Sequence, residues 1–319
     1  MLTRLYSART RLNRVALRTA LAASVAIASA SSSVAMAKCQ GPLALQILGS
    51  GGPIAEGSRA GSSAIVWIDG KAAVLMDAGS GSFIRYGEAG ARFEDHRAIA
   101  LTHFHADHVS DLDAILNSGG FSDRTEELPI IGPSGSEDFP GLVDHLRALF
   151  DPEKGAFRYL SGYFDGSSGR AILRPIEVDV EGTPESFVDE ASGVKITPIP
   201  VDHGVVPALG FLIEIRGKTI IFAGDQSEAS TRFEEALAGR APDILVAHNV
   251  IPEGPGQPRG LHRPPTALGE LAAAINPKLL VLSHNMQRAL VRQAEGEAAI
   301  RQNYKGPMTV ANDLDCFAF

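Results

Sequence analysis

Three histidines and an aspartate fall within six residues of this chain, in the motif His-Phe-His-Ala-Asp-His at 103–108. The motif follows an apolar run at 97–102 that predicts a buried strand, and it precedes a predicted helix start at 111–116. Residues two apart in an extended chain project to the same side, so His103 and His105 can bind one metal ion. Asp107 and His108, in the turn that follows, can face a second ion. Because the chain holds only nine histidines, the cluster favours a two-metal site over a polar loop with chance histidines.

Three later polar residues also adjoin apolar, strand-like runs. His203 precedes such a run, whereas Asp225 and His284 each close one. Taken singly, each is more typical of an ordinary turn or core residue. Together with the first motif, they predict metal ligands gathered from several strand ends. The runs are 208–214, 218–225 and 278–284.

The first motif resembles the His-x-His-x-Asp-His signature of the metallo-β-lactamase superfamily, and the later polar residues follow the order of that family's ligands. Strand-like runs at 43–49, 63–69 and 72–77 are similar to the opening β-meander of its ribonuclease Z-like branch, and Asp77-Ala-Gly79 matches that branch's Asp-x-Gly. The resemblance implies an α/β (α+β) fold, a four-layer αββα metallo-β-lactamase sandwich with metals in a cleft at one edge. Asp77 is expected either to orient a metal-bound histidine or to serve as a turn carboxylate.

Carried onto this chain, the resemblance implies two metal ions that share one carboxylate. Asp225 would bridge the ions, and imidazole with carboxylate suits two Zn²⁺ best, with Mn²⁺ or Fe²⁺ as alternatives. A hydroxide between two such ions forms near neutral pH and attacks phosphorus, sulfur or a carbonyl carbon, so the predicted reaction is hydrolysis. The expected ligands are His103, His105 and His203 for the first ion, and Asp107, His108 and His284 for the second.

The predicted catalytic residues are Asp107, His262 and His248. His262 precedes a helix-like segment at 267–273, where ribonuclease Z-like enzymes carry a His-x-Thr motif that assists the leaving group. The match is loose, because three residues separate His262 from Thr266. His248 ends an apolar strand-like run, so it is expected either to bind substrate or to be structural.

The segment 119–169 is the least regular part of the chain. It contains a predicted helix at 139–150, followed by aromatic residues that either form a lid over the active site at 151–170 or pack into the core. His96 and His145 match no motif, and both are expected at the surface. The aromatic residues are Phe157, Tyr159, Tyr163 and Phe164.

The first 37 residues carry five arginines and no acidic residue, and then small and apolar residues up to Ala35-Met36-Ala37. This pattern predicts a secretory signal peptide at 1–37 rather than a membrane anchor. We therefore expect a periplasmic or secreted domain at 38–319, with no internal boundary and no stable membrane insertion after leader removal. In an oxidising compartment, Cys39 and Cys316 could form one disulfide or stay as free thiols.

Without the five leader arginines, 24 basic residues face 37 acidic ones, a formal net charge of about −13. Such a surface repels nucleic acid, and no basic patch with interleaved aromatics is present in the sequence. Ribonuclease Z enzymes carry a long tRNA-binding arm between the third histidine and the bridging aspartate, but only 21 residues separate His203 from Asp225.

These features predict a small-molecule ester substrate, most simply a phosphodiester or an aryl sulfate ester. Lactone or β-lactam hydrolysis on the same fold is an alternative. A non-catalytic periplasmic metal- or ligand-binding protein is an alternative of another class. The oligomeric state is open, with a homodimer among the choices.

Overall fold

The computed structural model describes residues 39, 41–167, 169 and 171–319. The predicted signal peptide therefore lies outside the described residues. Within the described residues, no helix is long and apolar enough to cross a membrane.

Seven strands of the described chain form the first sheet. They are β1 (Leu43–Gly49), β2 (Ser63–Ile68), β3 (Lys71–Met76), β4 (Ala98–Ala100), β5 (Leu128–Pro133), β6 (Leu173–Val178) and β14 (Cys316–Ala318). Their order across the sheet is β14-β1-β2-β3-β4-β5-β6. The strands β14 to β3 pair antiparallel and include the predicted β-meander, whereas β3 to β6 pair parallel.

A second sheet contains seven further strands of the described residues. They are β7 (Phe187–Asp189), β8 (Val194–His203), β9 (Val206–Ile215), β10 (Lys218–Phe222), β11 (Ile244–His248), β12 (Leu279–Ser283) and β13 (Met308–Val310). Their order is β13-β12-β11-β10-β9-β8-β7. The strands β7 to β10 pair antiparallel and β10 to β13 pair parallel, so each sheet joins an antiparallel half to a parallel half.

Helices connect the strands and cover the outer face of each sheet. They are α1 (Ser82–Glu88), α2 (Ala106–Val109), α3 (Leu112–Gly119), α4 (Leu142–Phe150), α5 (Gly162–Asp165), α6 (Thr231–Leu237), α7 (Pro265–Ile275), α8 (Gln287–Leu290) and α9 (Gln293–Asn303), with 3₁₀ turns at Phe93–Asp95 and Arg158–Leu160. The helix predicted from Phe139 begins only at Leu142. The helical conformation is disfavoured for the residue before Pro140, and Gly141 is extended, with ψ 178°.

Three buried apolar clusters separate the layers. One lies between the sheets, where side chains such as Leu45 and Val74 of the first sheet share a cluster with Phe211 and Val246 of the second. A second cluster joins the first sheet to α1, α3 and α4. The third joins the second sheet to α6, α7 and α9. The predicted four-layer αββα sandwich is therefore confirmed.

A disulfide joins Cys39 to Cys316, with the two Cα atoms 5.4 Å apart. Cys316 begins β14, which pairs with β1 at the edge of the first sheet. The bond therefore fastens the last strand to the segment that precedes the first one. Of the two alternatives that the sequence left open, the structure shows the disulfide.

The aromatic residues of 151–167 pack mainly into the core. Tyr163 is buried, and its hydroxyl donates a hydrogen bond to the Leu116 carbonyl at 2.6 Å. Phe157 and Phe164 pack against the same cluster, whereas Tyr159 is exposed. These contacts favour the core alternative over an active-site lid.

The prediction that His96 and His145 lie at the surface is wrong. His96 is fully buried, and its Nε2 lies 2.8 Å from the Tyr86 hydroxyl. His145 is half-buried, and its ring stacks on Phe104. Burial, reinforced by the charge of Arg124, lowers the pKa of His96 to about 3, so this imidazole is neutral in the folded protein near neutral pH.

His96 should therefore make the protein less stable as the pH falls below 6.5. Between about pH 6.5 and 3 the unfolded chain binds a proton at this residue and the folded chain does not, so unfolding is favoured by up to ~1.4 kcal/mol per pH unit. The variant His96→Gln keeps a hydrogen-bonding side chain without this titration. Urea unfolding at pH 7.5, 6 and 5 should show a steeper loss of stability in the wild type than in His96→Gln. Parallel pH profiles would contradict the assignment.

Candidate metal centre

The predicted ligands lie where strands of both sheets end. His103 follows β4 in the first sheet, and His203 is the last residue of β8 in the second. Asp225 and His284 follow β10 and β12. Because β8, β10 and β12 run in the same direction, their carboxyl ends share one edge of the sandwich.

Two glycines give the first motif the room it needs. A Cβ atom at Gly79 would lie 1.9 Å from the Asp107 carbonyl oxygen, and one at Gly61 would lie 2.7 Å from the same atom. The helix α2, which carries Asp107 and His108, therefore rests directly on the backbone of these two turns. This contact gives the Asp-x-Gly pattern at Asp77 a steric reason that the sequence alone did not supply.

One group of donor atoms contains three imidazoles and a carboxylate: His103, His105, His203 and Asp225. Nε2 of His103 lies 2.9 Å from Nδ1 of His105, and Nε2 of His203 lies 3.4 Å from the same nitrogen. The Asp225 Oδ2 atom is 3.7 Å from His203 Nε2. Tetrahedral zinc with bonds near 2.0–2.1 Å needs donors roughly 3.3 Å apart, so this group fits a metal ion.

A second group contains Asp107, His108 and His284. The Asp107 Oδ2 atom lies 3.0 Å from His284 Nε2 and 3.7 Å from His108 Nε2. Asp225 also faces this group, with oxygens 3.8 Å from His108 Nε2 and 3.6 Å from His284 Nε2. Among the described residues, the buried His108 Nε2 has no hydrogen-bond partner, which fits a metal-ligating nitrogen. Asp225 thus adjoins both groups, as a bridging ligand must.

His284 is held in place by close packing at the end of β12. Its backbone adopts a left-handed conformation, with φ 53°, which is uncommon for a residue other than glycine. A Cβ atom at Gly52 would lie 2.5 Å from His284 Cε1 and 2.7 Å from Met286 Sδ. The glycine-rich turn after β1 therefore leaves space for this imidazole.

The other two predicted catalytic histidines also lie beside Asp225. His248 Nδ1 is 2.6 Å from Asp225 Oδ1, so this residue, which sequence reasoning left as either substrate-binding or structural, contacts the carboxylate directly. His262 Nδ1 is 3.8 Å from Asp225 Oδ2, and the rings of His262 and His203 lie 5.3 Å apart. The structure thus brings together all the predicted ligands and both additional histidines.

Asp77 orients His108 and Thr102 at the end of β3. Its Oδ2 atom lies 2.8 Å from His108 Nδ1, and its Oδ1 atom accepts a hydrogen bond of 2.7 Å from the Thr102 backbone N–H. Burial disfavours the charged form of His108, but the charge and hydrogen bond of Asp77 outweigh it and raise the pKa of His108 to about 9. Of the two roles considered for Asp77, the structure shows the contact that orients a histidine.

Burial and neighbouring charges shift the pKa values of several groups at the centre. Burial and the neighbouring His108 lower the pKa of His103 well below its ordinary value, and burial lowers the pKa of His262 to about 4. Burial opposes ionisation of Asp225, but its histidine neighbours, with His284 foremost, bring the pKa of its carboxyl well below the usual range. Imidazoles bind metal when neutral and carboxylates when ionised, so the shifts of His103 and Asp225 favour metal binding, whereas His108 must lose a proton when an ion binds.

This fold and this donor set are those of a metal-dependent hydrolase. A family model described as Beta-lactamase superfamily domain matches residues 73–285. The ribonuclease Z of Mycolicibacterium paratuberculosis is 29% identical over 278 residues, which cover 84% of this chain and 95% of that protein. The ribonuclease Z of Mycobacterium bovis is 32% identical over 213 residues, which cover 66% of this chain and 70% of that protein. The chain belongs to the metallo-β-lactamase superfamily and is similar to its ribonuclease Z members.

Solved structures share the fold at low sequence identity. The metallo-β-lactamase fold protein YhfI from Bacillus subtilis has a TM-score of 0.66 and 16% identity, covering 87% of this chain and 99% of its own. A diphosphatase from the PhnP family has a TM-score of 0.56 and 20% identity, covering 87% and 98%. Zn²⁺-bound PqqB from Methylobacterium extorquens has a TM-score of 0.60 and 15% identity, covering 86% and 100%.

The substitution Asp77→Asn should weaken metal binding about 10–100-fold, because His108 loses its carboxylate partner. Asparagine tolerates the left-handed backbone of Asp77, φ 52°, so the turn is preserved. Asp69→Asn is the matched control, since Asp69 has φ 49° but is exposed and pairs with Arg216. Competition with a chromogenic chelator measures both affinities. Equal metal affinities for the two variants would show that Asp77 does not support metal binding by His108.

Proposed function

We propose that this protein is an exported hydrolase of small phosphodiesters or aryl sulfate esters that uses two zinc ions, with manganese or iron as alternatives. The observation that carries the proposal is the pair of donor groups at one edge of the sandwich, with Asp225 adjoining both. Two such ions, when bound, would supply the Lewis acidity that makes water nucleophilic near neutral pH and would balance charge on the ester.

The side chains around the ligands have distinct tasks in this scheme. Asp77 fixes the ring of His108, and His248 fixes the carboxylate of Asp225. Asp107 joins His108 and His284 in the second donor group. Among the described residues, His262 is in none of the three donor groups, the third of which is Asp225, His248 and His284. The His262 side chain is 11% exposed beside His203. It is therefore available to hydrogen-bond the leaving-group oxygen.

A small substrate is supported by the connection between His203 and Asp225. The two-residue turn Gly204-Val205, the strands β9 and β10 and the turn Arg216-Gly217 fill this interval up to the Asp225 turn. It contains no long arm, and the acidic composition of 38–319 disfavours a polyanion. RNA processing is the second candidate function, favoured by the relatives named ribonuclease Z.

Export is supported by the disulfide between Cys39 and Cys316, since such bonds persist mainly in oxidising compartments. It is also supported by the arginine-rich, then apolar, segment 1–37 and its Ala35-Met36-Ala37 ending. We propose a periplasmic or secreted protein that carries out its reaction on a diffusible ester.

Metal analysis combined with a substrate panel tests the function. We expect about two metal ions per chain and clear preference for bis-nitrophenyl phosphate or nitrophenyl sulfate over nitrophenyl acetate, a lactone, a cephalosporin and a precursor tRNA. Asp225→Asn should lower metal content and all activities together, because it removes the shared charge. Less than one metal ion, or no turnover, would favour the binding-protein alternative. Faster cleavage of the tRNA would favour RNA processing.

Leaving-group dependence tests His262. If its imidazole assists departure of the leaving group, His262→Ala should slow esters of poorly acidic alcohols about 10²–10⁴-fold. Activated nitrophenyl esters should change far less, and metal content should stay constant. His262→Gln, which retains a hydrogen-bond donor without acid–base chemistry, separates hydrogen bonding from proton transfer. Equal losses across the series would exclude a role in leaving-group departure.

A further inference from the structure

A cavity of about 140 Å³ lies directly beside the candidate metal centre. His105, which belongs to the first donor group, is part of its lining. The rest of its walls are mostly apolar or aromatic and come from three separate segments of the chain. They include Phe104, Phe139, His145, Val206 and Pro207.

Two of the cavity walls form a stacked pair of rings. The rings of Phe104 and His145 are nearly parallel, 11° apart, with centroids separated by 4.7 Å. Phe104 lies between the donor residues His103 and His105 in the chain. Gly132 leaves room for it, because a Cβ atom there would lie 3.3 Å from Phe104 Cζ.

The stack with Phe104 is a ring contact of the His145 side chain. Its Nε2 atom is buried and, among the described residues, has no hydrogen-bond partner. His145 lies in α4, after the bend at Pro140 and Gly141 that delays the start of this helix to Leu142. The same bend places Phe139 and Pro140 on the cavity wall.

The size and lining of the cavity select a class of ligand. An apolar cavity of about 150 Å³ accommodates a benzene molecule, so this one matches a single six-membered aromatic ring. Aromatic walls add specific stacked or edge-to-face contacts that an alkyl chain lacks. A ring in this cavity would place its substituent next to His105 and the donor atoms.

We propose that this cavity is an aryl pocket that binds one aromatic ring of the substrate while the ester lies at the metal centre. Phe104, Phe139 and His145 are then the residues that determine specificity. The proposal rests on the proposed function and narrows it to esters that carry a phenyl-sized ring.

Two inhibitors that differ in their organic group test the pocket by their effect on ester hydrolysis. Phenylphosphonate and ethylphosphonate carry the same anionic head group, so the interaction of that group with the centre is common to both. Against hydrolysis of the preferred ester, phenylphosphonate should be the tighter competitive inhibitor by about tenfold or more, reflecting the ring contacts. Equal inhibition constants in an active, metal-loaded wild type would overturn the pocket while leaving the proposed function intact.

Matched variants assign the effect to residues. His145→Ala and Phe139→Ala should abolish the phenyl preference without changing metal content, whereas His145→Phe should retain it, because a flat ring still stacks on Phe104. Tyr159→Ala is the control, since it removes an exposed aromatic ring that does not line the cavity. An unchanged preference in both alanine variants would overturn the proposal.

Ring signals of His145 give a readout that needs neither metal nor turnover. In NMR spectra of the metal-free protein, added phenol should shift the His145 imidazole proton resonances through the ring-current effect of the bound phenol. Ethanol at the same concentration should not shift them. Phenol shifts without turnover would show that the pocket exists and the proposed function fails. Absence of phenol shifts would overturn the pocket.

Discussion

The carboxylate of Asp225 is buried at the point where the carboxyl ends of strands from both sheets meet, and imidazoles surround it. A buried charge is costly unless it is paired and hydrogen-bonded. The required contacts come from His108 in α2, which follows β4 of the first sheet, and from His203, His248 and His284, which end or follow strands of the second sheet. The centre therefore exists only when the two sheets pack together, and the apolar cluster between them is as necessary to the site as the ligands themselves.

Backbone conformation at the same edge carries a further cost. Asp77 and His284 both have left-handed backbones, a conformation that costs of order 1–3 kcal/mol for residues other than glycine. Each residue follows directly after a strand, β3 or β12, and each turns a polar side chain toward the centre. Gly52 and Gly79 provide the open space next to these turns. Two of the seven described non-glycine residues with left-handed backbones thus lie where the orientation of the ligands matters most.

The structure brings the predicted ligands together, and the sequence could indicate them because each one is a local signal. The spacing of His103 to His108 is decided within six residues, and the later ligands adjoin apolar runs that had to be strands. The environment of His96 could not be read in this way, because Tyr86, Phe93 and Arg124 reach it through tertiary packing. Similarly, His248 was recognised as a strand-end residue, but its contact with Asp225 depends on the pairing of β10 with β11.

The proposed aryl pocket also depends on the short connection between His203 and Asp225. The turn after His203 leads at once into Val206 and Pro207, which line the cavity beside His105. A longer insertion at this turn would carry those two walls away from the centre or place additional chain over it. The short hairpin thus has two consequences: it omits an extended surface for a polymer and closes one side of a ring-sized cavity. Both consequences support the proposed small aryl ester over a nucleic acid.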